Sequence, residues 1–424
     1  MNGRSVLAMV SLLAGCSSGN FDIGAEGVDA AGSDSAAAET ELVDSGSSPG
    51  DSSSPPGDVG CTAVADPLEV FVDASSTFMA PTGSTACPFA HITDAIAYVR
   101  SLPVKPRTIR VREGAYVEGP VILEKGMTLA GAGASKTTIS GGGTCMGTGS
   151  AYLCIVRVDG GAILDGVSID AGPSGKHGVI TGSTSGSTYP IVRNTSIGNA
   201  VGDGNAGILA MEGAILGPNI VSSKNRYGLV IWGNQTVKVL AGNNHFDENT
   251  NTGIDHEGTG VFSFEGGTVS GNGTGIKLGP APSPLSVPPT HDIQNLVARD
   301  NVEAGIRVAP SNGLRLRKST ITGGKIGVIA LFGAANRIDL GRTDDAGANN
   351  FGGAANRSSQ AAICAITTPA VAMPAVGNRF SDCTSFKNLA DISTTAGCEA
   401  ITGYADIWWR GLNPPDASSC TKGL

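Results

Sequence analysis

The chain carries little positive charge, and this removes one class of partner. Its 424 residues include 28 Lys and Arg against 37 Asp and Glu, for a formal net charge of −9. Nucleic-acid-binding proteins need a basic surface to neutralise phosphates, so we expect no nucleic acid as a partner. The sequence also lacks any Cys-x-x-Cys pair and any Cys/His spacing typical of zinc sites. We therefore predict no bound metal and no cofactor.

Long helical repeats are equally unexpected. The chain contains 62 glycines, and each glycine in a helix interior costs roughly 1 kcal/mol. This glycine content excludes ankyrin-type and related helical arrays. Leucine-rich repeats are disfavoured because their regular leucine spacing is missing, and a β-propeller needs longer units with tryptophan signals of their own.

A glycine followed by an aliphatic residue recurs through the middle of the chain. In its most regular parts the pair returns after 21 or 22 residues, and it stands at Gly178-Val179, Gly207-Ile208, Gly228-Leu229, Gly253-Ile254, Gly275-Ile276, Gly305-Ile306 and Gly327-Val328. A fixed period of this size is typical of a solenoid, in which each repeat buries its apolar face against its neighbours. Short β-branched strands, Gly and Asn between them and no intervening helix predict an all-β fold, a parallel β-helix.

Alternation along each strand sorts the side chains into faces. We predict that the residue after each repeat glycine points inward, together with an upstream column formed by Ile197, Val221, Phe246, Val269, Val297 and Ile321. Between the two strands an asparagine recurs, at Asn199, Asn225, Asn249, Asn272 and Asn301, with Gly324 in the last repeat. Asn and Gly tolerate the left-handed backbone of a sharp corner, so we expect a stacked structural ladder there.

Residues 1–16 have the features of an export signal. Arg4 supplies positive charge, and the apolar run from Val6 to Ala14 is too short to span a bilayer. The segment ends in Leu13-Ala14-Gly15-Cys16, which resembles the lipobox of bacterial lipoproteins, in which the cysteine is acylated. The resemblance implies a lipid anchor at Cys16, and Ser17 after it favours the outer membrane or the cell surface of a bacterium.

Residues 17–60 predict a disordered acidic linker. The segment consists mostly of Ser, Gly, Ala, Asp and Pro and has no Lys or Arg, so it buries too little apolar surface to offset the entropy of ordering. We expect it to hold the folded part, residues 61–424, away from the membrane. Within that part we predict an N-terminal cap over 61–103, coils over 104–360 and a C-terminal cap over 361–424.

Eight cysteines remain after Cys16. An even number in an exported chain predicts up to four disulfides. Cys145 and Cys154 are close enough in sequence to pair, and Cys61 with Cys87 would clip the N-terminal region. The sequence leaves the pairing order open among the last four, which are Cys364, Cys383, Cys398 and Cys420.

The N-terminal cap is predicted to close the open end of the solenoid with a helix. Thr93 to Ser101 has Ile96 and Val99 at helical spacing, with Thr93 as the N-cap. A strand follows that ends in Gly114-Ala115-Tyr116-Val117-Glu118. A helix before a strand ending in Gly-x-Tyr-x-Glu resembles the opening of pectin-lyase-like proteins, which are right-handed parallel β-helices.

Three later segments resemble the late coils of a largely uncharacterised bacterial branch of that superfamily: Asn336-Arg337-Ile338-Asp339-Leu340-Gly341, Gly347-Ala348-Asn349-Asn350-Phe351 and Gly377-Asn378-Arg379-Phe380. The resemblance covers about Cys61 to Phe380 and implies a right-handed coil. It implies no single activity, because the superfamily holds lyases, hydrolases, epimerases, adhesins and inactive members.

Charged residues interrupt the outward-facing column of the coils. The second residue after the repeat glycine is Asp255, Lys277 and Arg307 in three consecutive repeats, which a parallel sheet spaces by roughly 4.8 Å per rung. We call these three residues the charged stripe. Trp232 and Glu257, two positions further along their strands, are predicted on the same face.

Two functions remain open for this face. In the first, the protein is a non-catalytic surface or periplasmic module that binds a glycan or has a structural role, with Asp255, Glu257 and Trp232 contacting the glycan. In the second, it is a polysaccharide lyase for an acidic glycan. The resemblance then implies Lys277 or Arg307 as the base, and a calcium ion held by clustered acids. A solvated ion-pair ladder without function is the simpler alternative.

Replacing Cys16 tests the predicted anchor. Cys16→Ala should release the protein from membranes or block its processing, because no other segment of the sequence is predicted to hold it there. Partition of the variant into Triton X-114, compared with that of the unchanged chain, measures this. Equal partition of both proteins into the detergent phase would contradict the lipoprotein prediction.

Overall fold

The structure is a computed structural model. It describes residues 61–62, 66–103, 106–146, 152–182, 188–234, 236–279, 289–310, 312–331, 337–353, 356–366, 373–381, 383–388, 398, 403–410, 416 and 419–422. Residues 1–60, with the predicted signal, linker and anchor cysteine, lie outside the described residues. No helix among the described residues is long and apolar enough to cross a membrane.

Three sheets surround one apolar core, and the chain visits them in turn. The largest, which we call the front sheet, has thirteen strands and is parallel except for the pairing of its second and third strands in chain order. Its strands are Val121–Leu123, Gly143–Met146, Tyr152–Val158, His177–Thr181, Ala206–Ala210, Tyr227–Ile231, Thr252–His256, Thr274–Leu278, Ala304–Val308, Ile326–Ala330, Ala361–Ile366, Phe386–Asn388 and Ala405–Arg410.

The second sheet, the back sheet, is parallel and has eleven strands. They are Glu69–Val72, Arg107–Val111, Met127–Gly131, Ile163–Asp165, Ile191–Arg193, Ala214–Leu216, Val237–Val239, Phe262–Phe264, Thr290–Gln294, Gly313–Arg317 and Ile338–Asp339.

The third sheet, the side sheet, is built from shorter segments. Five strands form its first segment, namely Gly114–Glu118, Thr137–Gly141, Ser168–Asp170, Thr195–Gly198 and Ile220–Ser223. Three more form the next segment, namely Gly267–Ser270, Leu296–Arg299 and Thr320–Thr322. Single parallel bridges at His245 and Asn350 join these segments to each other and to the pair Arg379–Phe380 and Thr421–Lys422. The fold is a right-handed parallel β-helix.

The inner column of the front sheet is as predicted. The residue after each repeat glycine pairs with its counterpart on the next coil, and every member is inaccessible to solvent: Val179, Ile208, Leu229, Ile254, Ile276, Ile306 and Val328. Burying one such side chain contributes about 1.5 to 3 kcal/mol. A stack of seven therefore accounts for much of the cohesion between coils.

The predicted upstream column is wrong at two positions. Val221 and Val297 are half-buried, while Ser222 and Ala298 are fully buried. The register explains this, because Ser222 pairs with inward-facing Ile197, and Val297 pairs with Thr320 on the outer face. A shift of one residue exchanges the two faces of a strand. The valines are apolar but stand one place away from the inward position.

The asparagine ladder is present, with two corrections. The side-chain oxygens of Asn249, Asn272 and Asn301 each accept the backbone N–H of the ladder residue one coil earlier, at 2.9 to 3.1 Å. In the first rung Ala200, and not Asn199, donates to Asn225. The left-handed residues are those before the ladder asparagines, such as Lys224 and Glu248. The ladder asparagines satisfy buried backbone donors and do not supply the turn itself.

A second ladder at another corner was not predicted. Ser319 N–H donates to Asn349 Oδ1 at 3.0 Å, and Asn349 N–H donates to Asn378 Oδ1 at 3.2 Å. All three residues are buried. The corner that they form extends into the coils after the last repeat glycine, Gly327.

One helix, Ile92–Ser101, covers the first coil with Ile92, Ala95, Ile96 and Val99. Its N-cap is His91, which makes no side-chain capping bond, so the prediction of Thr93 as N-cap is wrong. Glu118 takes that role, because its carboxylate accepts the Ile92 N–H at 2.9 Å and the Thr93 hydroxyl at 2.8 Å. The last residue of the Gly-x-Tyr-x-Glu segment thus caps the helix from the neighbouring strand.

Four disulfides link the predicted cysteines. Cys61–Cys87 and Cys145–Cys154 form as the sequence suggested, and the order left open resolves to Cys364–Cys398 and Cys383–Cys420. The predicted end of the coils at residue 360 is too early. Ala361–Ile366 pairs in parallel with Ile326–Ala330 and with Ala405–Arg410, so the front sheet continues into the disulfide-rich region.

Removing one ladder asparagine should weaken the stack. Asn272→Ala leaves the buried Asn249 N–H without its acceptor and removes the bond from Asn272 Nδ2 to the Phe246 carbonyl, at 2.9 Å. We expect a loss of roughly 2 to 4 kcal/mol in unfolding free energy. Urea denaturation measures it, with Asn251→Ala, at an exposed asparagine, as the matched control. Equal midpoints for the two variants would show that the ladder adds no stability.

Candidate functional site

The outward column of the front sheet crosses the molecule in one continuous register. From the N-terminal to the C-terminal coils its paired members are Arg157, Ile180, Leu209, Val230, Asp255, Lys277, Arg307, Ile329, Cys364 and Trp408. The charged stripe therefore occupies three adjacent rungs of one face. Parallel pairing brings these residues together although they lie 22 to 30 residues apart in sequence.

Apolar clusters flank the charged stripe on both sides. The first comprises Cys145, Cys154, Ile180, Ala206, Leu209 and Val230, with Met146, Tyr152, Met211, Tyr227 and Trp232 packed against it. The second comprises Ala304, Ile326, Ile329, Ala361, Cys364, Cys398, Ala405 and Trp408, with Leu331 packed against it. Each cluster contains one disulfide. The charged stripe thus lies between two buried apolar clusters.

Lys277 is the centre of an ion-pair network in this gap. Its Nζ atom donates to Asp255 Oδ2 at 2.9 Å and to Glu257 Oε1 at 3.3 Å. The Trp232 indole N–H donates to the other carboxylate oxygen of Glu257 at 2.9 Å. Four of the five predicted site residues are thereby connected by hydrogen bonds.

Asp255 faces outward as predicted, but only 3% of its side chain is accessible. Burial raises the pKa of Asp255 to about 6, against a lowering effect of Lys277. The second carboxylate oxygen, Oδ1, is buried and has no hydrogen-bond partner among the described residues. An unpaired buried oxygen is costly in a purely structural ion pair, so it is a feature of functional interest.

Lys277 remains an ammonium ion in this setting. Burial disfavours its charged form, but the carboxylates of Asp255 and Glu257 outweigh this and raise the pKa of Lys277 above its usual value. A general base must be neutral to accept a proton. The environment of Lys277 is therefore unfavourable for the role of base and favourable for holding an anion.

Arg307 stands apart from the Lys277 network although it occupies the next rung. It is half-buried, and no ion pair or hydrogen bond joins its side chain to an acceptor in the described part of the chain. It lines a small cavity of about 110 Å³ together with Glu303, Lys325, Ile329 and Gln360. A guanidinium without an acceptor is available to an external anion.

Trp232 and Glu257 lie beside a larger depression at the ends of their strands. Its volume is about 610 Å³, and Met211, Glu257 and Thr259 are among the residues lining it. The half-buried Trp232 ring meets the Tyr152 ring edge-on, with centroids 6.2 Å apart. The candidate site therefore has the aromatic pair Trp232 and Tyr152 at its border and the charged Lys277 network at its centre.

Two histidines lie in the core behind this face. His256 and His291 have ring centroids 4.5 Å apart, and burial lowers the pKa of His256 to about 4 and that of His291 to about 3. Both nitrogens of His291 have partners, namely the Phe262 N–H and the Asn312 side chain. Within the described ranges, no three His, Cys, Asp or Glu side chains are grouped so as to hold a metal ion.

The stacked parallel strands, the side-sheet corners and the helical cap together form a parallel β-helix. The family described as periplasmic copper-binding protein (NosD) matches residues 165–340 of the β-helix, less than half of the chain. No curated protein is significantly similar to the sequence.

Solved β-helices resemble the chain at low identity. The A-module of mannuronan C-5 epimerase AlgE4 from Azotobacter vinelandii is 15% identical, with a TM-score of 0.45 over 78% of this chain and 93% of the other. The pectin methylesterase PemA from Erwinia chrysanthemi is 13% identical, with a TM-score of 0.32 over 66% and 81% of the two chains. These similarities carry no information about the reaction.

The surroundings of the charged stripe were not predicted. Tyr152 and the Cys145–Cys154 disulfide pack on the outer face four rungs before Asp255, although they lie about 100 residues earlier in sequence. The hairpin of Gly143–Met146 with Tyr152–Val158 brings them there. The short spacing of the two cysteines indicated the hairpin but not the face that it covers.

The raised pKa of Asp255 predicts a definite pH dependence. Its pKa of about 6 exceeds the ordinary 3.8, so folding favours the protonated acid. The contribution of protonated Asp255 to the stability of the folded state is fully present below pH 3.8 and is lost as the pH rises through about 6. Asp255→Asn does not titrate. It should therefore gain stability relative to wild type by about 2 to 3 kcal/mol between about pH 4 and about pH 7.5.

Urea midpoints of both proteins across this range give the difference directly. The buried histidines titrate in both proteins, so their contributions cancel in it. A difference that stays constant with pH would mean that the pKa of Asp255 is not raised.

Proposed function

We propose that the protein is an extracytoplasmic β-helix module that binds an acidic glycan at the charged stripe without cleaving it. The observation that carries the proposal is the Arg307 guanidinium, which has no partner among the described residues. It lies next to a fixed Lys277 ammonium, in the gap between two apolar clusters. Both cations lie on one face, one rung apart. Roughly 4.8 Å per rung is short enough for one sugar carboxylate to contact both.

The groups around Lys277 and Arg307 suit contacts with a sugar. The Trp232 indole is held at its N–H by Glu257, which leaves its ring to stack on a sugar. The depression beside Glu257 gives room for a neighbouring sugar unit. Guanidinium groups bind carboxylates in a bidentate manner, so Arg307 is the principal anchor for the acidic group.

Binding without cleavage is favoured by the protonation states. Lys277 has a raised pKa and is held between two carboxylates, and arginine does not deprotonate in proteins. Neither residue therefore supplies the base that a lyase needs. This argues against the roles that the superfamily resemblance implies for them.

A second candidate function rests on Asp255 itself. A buried carboxyl group with a pKa of about 6 and an unpartnered oxygen suits proton abstraction near neutral pH. In this alternative the protein is a polysaccharide lyase. Asp255 removes the C5 proton of a uronate, the C4–O glycosidic bond breaks as the C4–C5 double bond forms, and protonated Asp255 returns the proton to the leaving oxygen. Lys277 or Arg307 then neutralises the carboxylate.

Metal ions do not fit the described residues of this site. Lys277 occupies the space between Asp255 and Glu257, where its charge opposes a calcium ion. The description of the NosD family names copper. Of the two core histidines, however, His291 has both ring nitrogens engaged, and His256 has a single ring nitrogen, Nδ1, without a partner among the described residues. We therefore assign no metal to the proposed function.

We further propose that the domain is exported and lipid-anchored through Cys16, at the outer membrane or cell surface. Four disulfides are typical of an oxidising compartment. The description of the matching family as periplasmic supports the same side of the inner membrane. The lipobox-like sequence supports the anchor, and Ser17 supports the outer membrane.

Affinity electrophoresis in gels containing polygalacturonate or alginate tests the binding function. Arg307→Ala should weaken retention at least tenfold, because hydrogen bonds to charged groups are worth about 1.5 to 3 kcal/mol. Lys238→Ala, at an exposed lysine of the back sheet, is the matched control and should migrate as wild type. Equal retention of wild type and Arg307→Ala would remove the stripe as the binding site.

The same polysaccharides decide between the two candidates. A lyase produces an unsaturated sugar whose ultraviolet absorbance rises with time. We expect no rise with wild type. A rise that Asp255→Asn abolishes, with its fold and glycan retention intact, would replace the binding function by the lyase function.

A further inference from the structure

A second cleft lies on the outer face of the side sheet. Its volume is about 420 Å³. Parallel bridges place Thr320, Asn350 and Arg379 on successive rungs, and Arg299 pairs with Thr322 beside them. The cleft is therefore built from coils that the Asn349–Asn378 ladder stacks on one another.

Three arginines line this cleft, and no carboxylate in the described part of the chain pairs with any of them. Arg299 and Arg379 have neither an ion pair nor a side-chain hydrogen bond there. Arg357 is held in place, because its guanidinium lies 3.8 Å above the Tyr404 ring and donates to Ser381 Oγ at 3.2 Å. By contrast, Arg315 is paired with Asp292 and Asp345.

The few acidic groups near the cleft do not neutralise the positive charge of its three arginines. Among the described lining residues Asp300 is the one carboxylate. Asp247, on the same face two rungs before Arg299, is engaged by the Ser270 N–H at 2.7 Å and by the Thr268 hydroxyl at 2.8 Å. The cleft is thus locally positive in a chain whose formal net charge is −9.

The neutral groups in the cleft suit sugar hydroxyls. Thr320 and Thr322 bring hydroxyl groups. Asn350 Oδ1 accepts the Gly352 N–H at 3.0 Å, which fixes the amide and leaves its Nδ2 as a donor. Guanidinium groups recognise planar carboxylates through two parallel hydrogen bonds. The volume lies in the range of small-molecule sites and exceeds what a single inorganic anion needs.

We infer that this cleft is a second ligand site, which binds one or two carboxylate-bearing sugar units. Arg299 and Arg379 hold the carboxylate groups, Arg357 adds a fixed positive charge, and Thr320, Thr322 and Asn350 contact hydroxyls. This site is on a different sheet from the charged stripe and does not depend on it. Two sites on different faces would allow one molecule to bridge two glycan strands.

Calorimetry of the full chain with trigalacturonate tests this inference. All measurements use the Arg307→Ala background, so that the front-sheet site is already weakened. Arg299→Gln and Arg379→Gln should each weaken binding roughly tenfold. Arg193→Gln, at a back-sheet arginine that pairs with Asp165, is the matched control and should leave the affinity unchanged. Thermal midpoints equal to that of the background establish that the variants fold.

The two proposals fail separately in this design. If Arg307→Ala leaves gel retention unchanged, only the proposal for the charged stripe fails. If Arg299→Gln and Arg379→Gln leave the affinity for trigalacturonate unchanged, only the proposal for the cleft fails. Unchanged affinity in the double variant of Arg299 and Arg379 would overturn the cleft. Equal binding of maltotriose, or displacement of the ligand by an equal concentration of inorganic phosphate, would overturn its assignment to uronates.

Discussion

The register between consecutive coils is the constraint on which the rest of the structure depends. From Tyr152–Val158 to Ala361–Ile366 each front-sheet strand pairs in parallel with the next, so a residue at one position of the repeat lies directly over its counterpart. The same register stacks Ile254 on Ile276 inside and Asp255 on Lys277 outside. A change on one face is therefore coupled to packing on the other. The core and the candidate site are two sides of the same strands.

The corners maintain this register. Buried asparagines cross-link the backbone of successive coils at one corner through Asn249 and Asn272, and at another through Asn349 and Asn378. Loop lengths between strands differ from coil to coil, yet the ladders keep the strands aligned. This explains how a chain with irregular insertions presents two coherent outer surfaces, the charged stripe and the arginine cleft.

Much of the fold could be predicted from the sequence because it depends on local periodicity. The glycine-aliphatic repeat identified the inner column, and its second position placed Asp255, Lys277 and Arg307 on one face. Properties that depend on distant segments could not be predicted. The burial of Asp255, the cap supplied by Glu118 and the meeting of Arg299 with Arg379 arise from the lengths of intervening coils. Val221 was misassigned because an apolar side chain alone does not reveal which face of a strand it occupies.

Hydrogen–deuterium exchange with and without an alginate oligosaccharide tests the central claim most directly, since it locates bound glycan along the chain without a mutation. We predict slower exchange in the three strands that carry the charged stripe, namely Thr252–His256, Thr274–Leu278 and Ala304–Val308. Back-sheet strands such as Val237–Val239 should exchange at the same rate in both conditions. Unchanged exchange in all three stripe strands, at a concentration where gel retention is complete, would contradict the claim that the stripe is the binding site.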